Sequence, residues 1–427
     1  MMKKAATLGL VLALVAGPMF ADEGAVPEGI PHLDHVFMIM MENHAYGQIV
    51  GNPNAPFTNS YLKSANTANN YFAIGHPSLT NYLEVAGGSN FGVQNDNSPD
   101  WHNTSCITNL SSGVASTDVP PSPDICPISG TGTDAATPVF DCTNEPTPPA
   151  CLTNIDGTQS IPAAKDTVGK MIGDQLAGSG MSWKSYQESL PPVGPDRVNN
   201  SDGFYTDNNV NPITSGLPNE KQTLIKLYAV KHNPFVYFRS VQEGLNDRNS
   251  LKNTVGFQGP RGLFDDLNSG HVPEFSFIAP NQCNDQHGRG NAGPACDYDP
   301  SNTGTQVGLN PGLIYLGDLT IRTLVKAIHA SPAWKKGHNA IVLMWDENDY
   351  SVTPNTNQVL VIVDTNYGVR GVQSTQRYTH FSLLKSLEGG FGLPCLNHAC
   401  DASVKVMSDL FGGDHDRGDD QDGGDSE

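Results

Sequence analysis

The chain has 427 residues, of which 37% are hydrophobic and 16% are charged, and its formal net charge is −20. This length and composition are ample for a large core, and an α/β fold of this size can form one elaborated domain. The strong acidic charge excludes a nucleic-acid partner held by attraction to phosphate groups.

The N-terminus has the pattern of a secretory signal over residues 1–21. Lys3 and Lys4 supply the positive region, residues 5–17 are apolar, and the small residue Ala21 precedes a cleavage site near Asp22. The alternative interpretation is a membrane anchor, but the apolar stretch is too short for one. Since no later segment is long and apolar enough to cross a bilayer, the sequence predicts an exported protein, secreted or periplasmic, with no transmembrane segment in the mature chain.

Two apolar runs each stop abruptly at a pair of oxygen-bearing side chains. Residues 35–41 lead into Glu42 and Asn43, and residues 339–345 lead into Asp346 and Glu347. Unbroken apolar runs of this length predict strands buried on both faces of a parallel sheet, where ligands collect at the carboxyl ends of the strands. Three carboxylates that converge there without a counter-charge would repel one another. The pattern therefore predicts a cation at this edge of the sheet.

Residues 95–167 are rich in Pro, Ser, Thr, Asn, Gly and Cys and lack periodic apolar runs, which predicts a disulfide-stapled surface insertion. All eight cysteines follow the signal, and an even number in an exported chain favours disulfides. The predicted local pairs are Cys283 with Cys296 and Cys395 with Cys400. The other four, which are expected to pair among themselves, are Cys106, Cys126, Cys142 and Cys151. The spacing of a zinc–thiolate site is absent.

Regular patterns resume after the insertion. Helices are predicted over residues 167–176 and 316–330, and strands over residues 182–186, 234–238, 274–278 and 359–363. Strands that alternate with helices predict an α/β fold, a mostly parallel, doubly wound sheet with helices on both faces. The expected organisation is one domain over residues 22–411 that includes the insertion, followed by a disordered acidic tail over residues 412–427.

A further helix is predicted just after Pro77. Leu79, Tyr82, Leu83 and Ala86 recur at helical spacing, and Gly87 is a natural C-terminal stop. Ser78 then stands at the helix N-terminus, where the helix dipole and free N–H groups suit a phosphate. A metal nearby would activate its hydroxyl as a nucleophile. The local pattern alone favours the simpler role of an N-cap.

Five motifs occur in an order that closely resembles the bacterial phosphoesterase family, which holds non-specific phospholipases C and secreted acid phosphatases and belongs to the alkaline phosphatase superfamily. The motifs are Glu42-Asn43-His44, His76-Pro-Ser-Leu-Thr-Asn-Tyr82, Asn281-Gln-Cys-Asn-Asp-Gln-His287, Trp345-Asp-Glu347, and Tyr378-Thr-His-Phe-Ser-Leu-Leu384 with Phe391-Gly-Leu-Pro394. Further landmarks are Trp183-Lys-Ser-Tyr-Gln-Glu188 and Lys231-His-Asn-Pro234. The resemblance implies an alkaline phosphatase-like fold.

The resemblance also implies a site for one divalent metal. Glu42 and Asn43 match the first ligand pair, and Asp346 and Glu347 match the second. This oxygen-rich set favours calcium, magnesium or manganese, but carboxylates also bind zinc, so the identity of the metal stays open.

Ser78 matches the nucleophile of the superfamily, and Asn81 matches an asparagine that hydrogen-bonds a phosphoryl oxygen in related phosphodiesterases. Thr80 stands where many relatives carry proline and is a rival nucleophile. A histidine, either His287 or His380, is expected to protonate the leaving group. The neighbours expected to support these groups are His44, His76 and Asp285.

The sequence thus predicts an exported, metal-dependent phosphomonoesterase of the acid phosphatase type, which hydrolyses phosphate esters through a phosphoserine intermediate. The nearest alternative is a phospholipase C or a phosphoinositide phosphatase on the same catalytic core, with a phospholipid as substrate. The alternative from a different class is a non-catalytic, metal-stabilised binding protein.

Overall fold

The structure is a computed structural model that describes residues 23–99, 169–191, 198, 227–244, 246–290, 292–349 and 356–412. The predicted signal peptide, most of the predicted insertion with its four cysteines, and the acidic tail after residue 412 lie outside the described residues. In the part of the chain that is described, no helix is long and apolar enough to span a membrane.

A single mixed sheet of eight strands forms the centre of the described structure, in the order β4-β3-β5-β1-β6-β7-β2-β8. The strands are β1 His35–Met41, β2 Asn66–Phe72, β3 Trp183–Gln187, β4 Thr254–Gly256, β5 Phe275–Ala279, β6 Asn339–Trp345, β7 Val361–Thr365 and β8 Gln373–Thr379. Only β7 runs against both of its neighbours, and all other pairs are parallel. The predicted mostly parallel α/β sheet is confirmed.

Helices pack against this sheet in two groups, because α7 contacts both α2 and α6 while α3 contacts both α4 and α8. The helices are α1 Tyr46–Ile49, α2 Pro56–Ser64, α3 Ser78–Gly87, α4 Ile172–Gly178, α5 Arg239–Glu243, α6 Leu263–Ser269, α7 Pro311–Ala330 and α8 His380–Phe391. The central strand β6 is buried at every position, as expected for a strand covered by helices on both faces. All ten residues of α3 are also buried.

Most predicted elements are present with shifted ends. The helix predicted at residues 316–330 begins earlier, because the Asn310 side chain caps it and Pro311 suits the first helical position. The strand predicted at residues 234–238 is wrong, since Pro234–Tyr237 forms a 3-10 turn. All four side chains of this turn are buried. The apolar run therefore had no alternation of apolar and polar residues by which a strand could be told from a turn.

Both predicted local disulfides are present, Cys283–Cys296 and Cys395–Cys400. The first closes the loop that carries Asp285 and His287, immediately after β5. This covalent closure fixes a polar loop at the carboxyl edge of the sheet, where the predicted site lies.

Candidate active site

The two predicted ligand pairs meet because β1 and β6 are adjacent and parallel. Met41 pairs with Trp345 at the last rung of their ladder, so Glu42 and Asp346 leave the sheet side by side. The main-chain N–H of Asp346 donates to Met41 O at 2.9 Å, and that of Asn43 donates to Asp346 Oδ1 at 3.1 Å. Asn43 adopts a left-handed conformation with φ of 58°, which turns the chain at the end of the strand.

The hydroxyl of Ser78, the first residue of α3, points at these carboxylates. Its Oγ lies 3.0 Å from Glu42 Oε2 and 3.5 Å from Glu347 Oε1. The rival hydroxyl of Thr80 points elsewhere, because its Oγ1 donates to Val93 O at 3.1 Å. Residues two positions apart on a helix face different directions, and here only Ser78 faces the carboxylates.

Three clustered carboxylates, those of Glu42, Asp346 and Glu347, are almost completely buried. Burial raises the pKa of Glu42 to about 7. Burial and the neighbouring Glu42 raise the pKa values of Asp346 and Glu347 well above the ordinary range. Asp346 Oδ2 has no hydrogen-bond partner among the described residues. An unpaired buried carboxylate oxygen within an acidic cluster fits a divalent cation, because the cation would offset negative charge that a proton otherwise neutralises.

His232 is a member of the site that the sequence analysis did not place there. Its Nε2 lies 3.1 Å from Glu42 Oε1, and its Nδ1 lies 3.1 Å from Asp285 Oδ2. Burial lowers the pKa of His232, whereas burial and the charge of Glu42 raise that of Asp285, so both shifts favour the uncharged forms. Tyr82 stacks on the imidazole and donates to Glu42 Oε1 at 2.6 Å. The available signal was the Lys231-His-Asn-Pro234 landmark.

His287 lies beside a cation that the sequence analysis also missed. Its Nε2 is 3.3 Å from Lys231 Nζ, which donates to Asp96 Oδ2 at 2.8 Å. Burial alone would lower the pKa of Lys231, but the carboxylates of Asp96 and Glu42 raise it above the ordinary value, so the ammonium stays charged. Glu42, His232 and His287 also place ligand atoms within 4.8 Å of one another, which makes a second group able to hold a metal.

The other predicted proton donor, His380, lies behind the carboxylates. It is fully buried, with Nε2 at 2.6 Å from Asp346 O and Nδ1 at 3.0 Å from the Tyr71 hydroxyl. Burial lowers the pKa of His380 to about 4. A neutral ring whose two nitrogens are both occupied holds the Asp346 main chain in place.

The three predicted supporting residues all contact the site. His44 Nδ1 lies 2.9 Å from Glu42 O and its Nε2 lies 3.1 Å from Asp299 Oδ2. His76 Nδ1 lies 3.1 Å from Glu347 Oε2. The third, Asp285, contacts the imidazole described above.

The side-chain amide of Asn81 forms all its hydrogen bonds with other groups of the protein. Its Nδ2 donates to Glu347 Oε2 and to Gly75 O, both at 2.8 Å, and its Oδ1 accepts from the N–H groups of Ile74 and Gly75. Because an amide nitrogen has two hydrogens, both donors are already used. A contact from Asn81 to a phosphoryl oxygen would replace its bond to Glu347.

A hydroxyl at a helix N-terminus, facing a buried cluster of carboxylates at the carboxyl edge of an α/β sheet, is the arrangement of a phosphoric ester hydrolase. The profile of the Phosphoesterase family matches residues 52–295, more than half of the chain. The chain belongs to this family, and phosphate esters are its substrates. The matched segment includes Ser78, His232 and Asp285, while the two predicted ligand pairs lie on either side of it.

Curated relatives are similar at low identity. The phosphatidylinositol-3-phosphatase of Mycobacterium tuberculosis is 23% identical over 95% of this chain and 94% of its own length. An acid phosphatase of Aspergillus fumigatus is 22% identical over 88% of this chain, and the phosphate-repressible acid phosphatase of Penicillium chrysogenum is 25% identical over 80%. The alignments span only 59% and 56% of these two fungal proteins.

Among solved structures, a protein of the alkaline phosphatase superfamily from Vibrio parahaemolyticus aligns with 91% of this chain and 76% of its own. Its TM-score is 0.43 and its sequence identity is 10%.

Proposed function

We propose that this chain is an exported, metal-dependent phosphomonoesterase of the acid phosphatase type, which works through a phosphoserine intermediate on Ser78. One observation carries the proposal. The Ser78 hydroxyl lies at the start of α3 and within 3.5 Å of two buried carboxylates from two strand ends. Such a hydroxyl is positioned to attack a phosphorus atom that binds at the same edge of the sheet.

The residues that would hold one divalent cation are Glu42, Asn43, Asp346 and Glu347, with calcium, magnesium, manganese and zinc as the candidates. When bound, the cation would lower the pKa of the Ser78 hydroxyl and offset charge on the phosphoryl oxygens. Ser78 Oγ forms a bond to phosphorus while the bond from phosphorus to the leaving oxygen breaks. Water then attacks the phosphoserine, which releases inorganic phosphate and restores the hydroxyl.

The leaving oxygen needs a proton, and His287 is the better placed of the two predicted donors. His380 is fully buried and tied to Asp346 O and Tyr71, whereas His287 is only partly buried and faces the Lys231 ammonium. His287 Nδ1 lies 2.9 Å from Gly288 O, so Nε2 is the nitrogen that would carry the transferred proton, and it must turn away from the Lys231 ammonium to do so. We therefore assign protonation of the leaving group to His287 Nε2.

The test is to trap the phosphoenzyme by acid quench and to map it by peptide mass. We expect phosphate on Ser78. The Ser78→Ala variant should lose at least about 10³-fold in kcat, as expected when a nucleophile is removed. Thr80→Ala is the matched control and should retain substantial activity, because its hydroxyl bonds to Val93 O. Phosphate on Thr80, or near-normal turnover of Ser78→Ala, would show that the assignment is wrong.

A second candidate is a phosphoinositide phosphatase on the same core. It is favoured by the M. tuberculosis relative, whose name is phosphatidylinositol-3-phosphatase and whose length this chain covers almost completely. Turnover of phosphatidylinositol 3-phosphate in mixed micelles, compared with p-nitrophenyl phosphate and phosphatidylcholine, separates this candidate and phospholipase C from the first proposal. A chelated protein that stays folded and keeps full turnover would contradict metal dependence.

Export rests on residues 1–21, whose pattern is that of a cleaved secretory signal. We propose a secreted or periplasmic location. N-terminal sequencing of the protein purified outside the cytoplasm should find the chain beginning near Asp22, whereas an intact Met1 terminus would count against the proposal.

A further inference from the structure

The carboxylate of Asp96 lies at the outer side of the site, against two groups that attract anions. The Leu79 N–H, in the first turn of α3, donates to Asp96 Oδ1 at 3.1 Å. The Lys231 ammonium donates to Asp96 Oδ2 at 2.8 Å. A helix N-terminus and an ammonium group are both common partners of phosphate in proteins. Here a side chain of the protein itself occupies them.

We propose that Asp96 holds the place of a phosphoryl oxygen in the free enzyme, and that the phosphoryl group of the substrate displaces it. The inference rests on the proposed phosphomonoesterase function. Leu79 directly follows Ser78, so a phosphoryl group in contact with the Ser78 hydroxyl presents an oxygen to the Leu79 N–H. Two anionic oxygens at one N–H would repel each other, so the carboxylate has to leave. Asp96 is thus an internal competitor that sets the affinity for phosphate.

The main chain on both sides of Asp96 is anchored, so its displacement requires only that the side chain rotates. The Thr80 hydroxyl donates to Val93 O at 3.1 Å, and the Tyr237 hydroxyl donates to Asn97 O at 2.9 Å. The Asp96 side chain is 35% exposed. Its carboxylate can therefore turn into water while both anchors of the main chain stay in place.

The charges around Asp96 favour this exchange. Burial raises the pKa of Glu347, and the charges of Glu42 and Asp96 raise it further, so Asp96 adds to the repulsion within the acidic cluster. A carboxylate that turns into water relieves part of that repulsion.

Lys231 stays positively charged during the exchange and is available to the phosphoryl group. Burial lowers its pKa, but three carboxylates raise it, those of Asp96, Glu42 and Glu347. Two of these remain beside the ammonium when Asp96 turns away, and the incoming phosphoryl group replaces the third. A phosphate monoester carries more negative charge than one carboxylate, so the ammonium holds it more strongly.

The experiment measures how tightly inorganic phosphate binds to the full-length, metal-loaded protein, both by calorimetry and as an inhibitor of p-nitrophenyl phosphate hydrolysis. Asp96→Asn keeps an acceptor for the Leu79 N–H but removes the charge that holds Lys231. We expect this variant to bind phosphate about tenfold more tightly, which corresponds to one charge-assisted hydrogen bond. Asp96→Ala releases both groups and should bind phosphate at least as tightly. KM should fall in both variants, while kcat changes little.

The matched control is Asp349→Asn, which removes another negative charge that acts on Glu347. It should change the affinity for phosphate by less than about twofold, because a charge at longer range is screened by salt. If both substitutions tighten phosphate binding equally, repulsion at long range is the cause and the proposal is overturned. Weaker phosphate binding with a lower kcat in Asp96→Asn would also overturn it, since that result is expected if Asp96 only positions Lys231.

A double-mutant cycle tests whether Lys231 is the group that Asp96 and phosphate share. Lys231→Met should weaken phosphate binding in the otherwise unchanged protein. In the Lys231→Met background, Asp96→Asn should tighten phosphate binding by no more than about twofold, because the shared partner is gone. A tenfold gain that persists without the ammonium would contradict the proposal.

Binding of inorganic phosphate needs no turnover, which separates this inference from the proposed function. If the Asp96 variants bind phosphate more tightly but no phosphoserine is trapped on Ser78, the assignment of the nucleophile fails and the displaced carboxylate stands. If the phosphoserine is trapped and the Asp96 variants bind phosphate as the wild type does, this inference fails alone.

Discussion

At the scale of single residues, the proton donor can be separated from the metal ligands by the choice of leaving group. His287→Asn should lower kcat on methyl phosphate by about 10²-fold, the usual contribution of a general acid. Turnover of p-nitrophenyl phosphate should fall much less, because p-nitrophenolate leaves without a proton. Steady-state kinetics on both substrates provide the measurement.

The matched control for this prediction is His338→Asn, which changes an exposed histidine and should leave both rates unchanged. If His287→Asn loses activity equally on both substrates and also loses metal, the residue acts as a ligand in the group with Glu42 and His232. That outcome would contradict the role in proton transfer.

Asp346 offers the residue-scale test of the metal site. Asp346→Asn should weaken metal binding and reduce turnover at least about 100-fold, as expected when the stabilisation of transition-state charge is lost. The side-chain oxygen of the new asparagine can still accept a hydrogen bond from Asn43 N. Because the substitution also removes one of three clustered carboxylates, the metal-free variant should unfold at the same urea concentration as the metal-free wild type or at a higher one. Elemental analysis and urea unfolding check both parts.

The control for this prediction is Asp318→Asn, which alters a buried carboxylate that binds Thr58 away from the site. It should lower stability and leave the metal content unchanged. Full activity of Asp346→Asn with unchanged metal content would refute the ligand assignment.

The sequence predicted that the two proposed ligand pairs lie together, because each pair stands next to its strand and strands that end at the same edge of a sheet bring such residues close. It missed His232 because the contact of this residue with Glu42 depends on a 3-10 turn far along the chain. The direction of a side chain also could not be read from the pattern. His380 belongs to a matching motif, yet its ring faces Asp346 O and Tyr71.

At the scale of elements, apolar runs and helix caps predicted the central strands and α3, whereas polar strands escaped detection. β8, Gln373–Thr379, has an exposed, polar face over most of its length and lies at the edge of the sheet. Its partner β2, Asn66–Phe72, is also rich in asparagine. Such strands lack an apolar period and form because a neighbouring strand supplies the hydrogen bonds.

The C-terminal helix α8 contains a buried acid that makes stability depend on pH. Burial raises the pKa of Glu388 well above its usual value, and its Oε2 has no hydrogen-bond partner among the described residues. Above the unfolded pKa, near 4.3, the unfolded chain releases this proton while the folded chain retains it. The unfolded state then binds fewer protons, so stability falls as pH rises until the folded pKa is passed.

Glu388→Gln should remove this dependence. The glutamine keeps the acceptor for Leu396 N, so the variant should be more stable than the wild type at pH 8, by on the order of 1 kcal/mol, and the difference should shrink toward pH 4. Urea unfolding from pH 4 to 8 measures it, with the exposed Glu28→Gln as control. A constant difference across this range would contradict the explanation.

At the scale of the whole molecule, disulfide bonds are expected to hold the loops around the sheet in place. Two of the predicted bridges are present, and Cys283–Cys296 closes the loop that carries Asp285 and His287. The other four cysteines, at positions outside the described residues, are predicted to pair among themselves, because an exported chain keeps its thiols oxidised. The mature protein should therefore contain four disulfides.

Mass spectrometry of the denatured protein before and after reduction should show a gain of about eight hydrogens, two for each disulfide. Alkylation without reduction should label none of the eight cysteines.

Reduction should also lower activity, because opening Cys283–Cys296 frees the loop that places Asp285 against His232. The Cys395–Cys400 pair serves as an internal comparison, since Cys395→Ser with Cys400→Ser should lower the unfolding temperature without changing kcat. Several free thiols in the native protein, or full activity after complete reduction, would overturn this prediction.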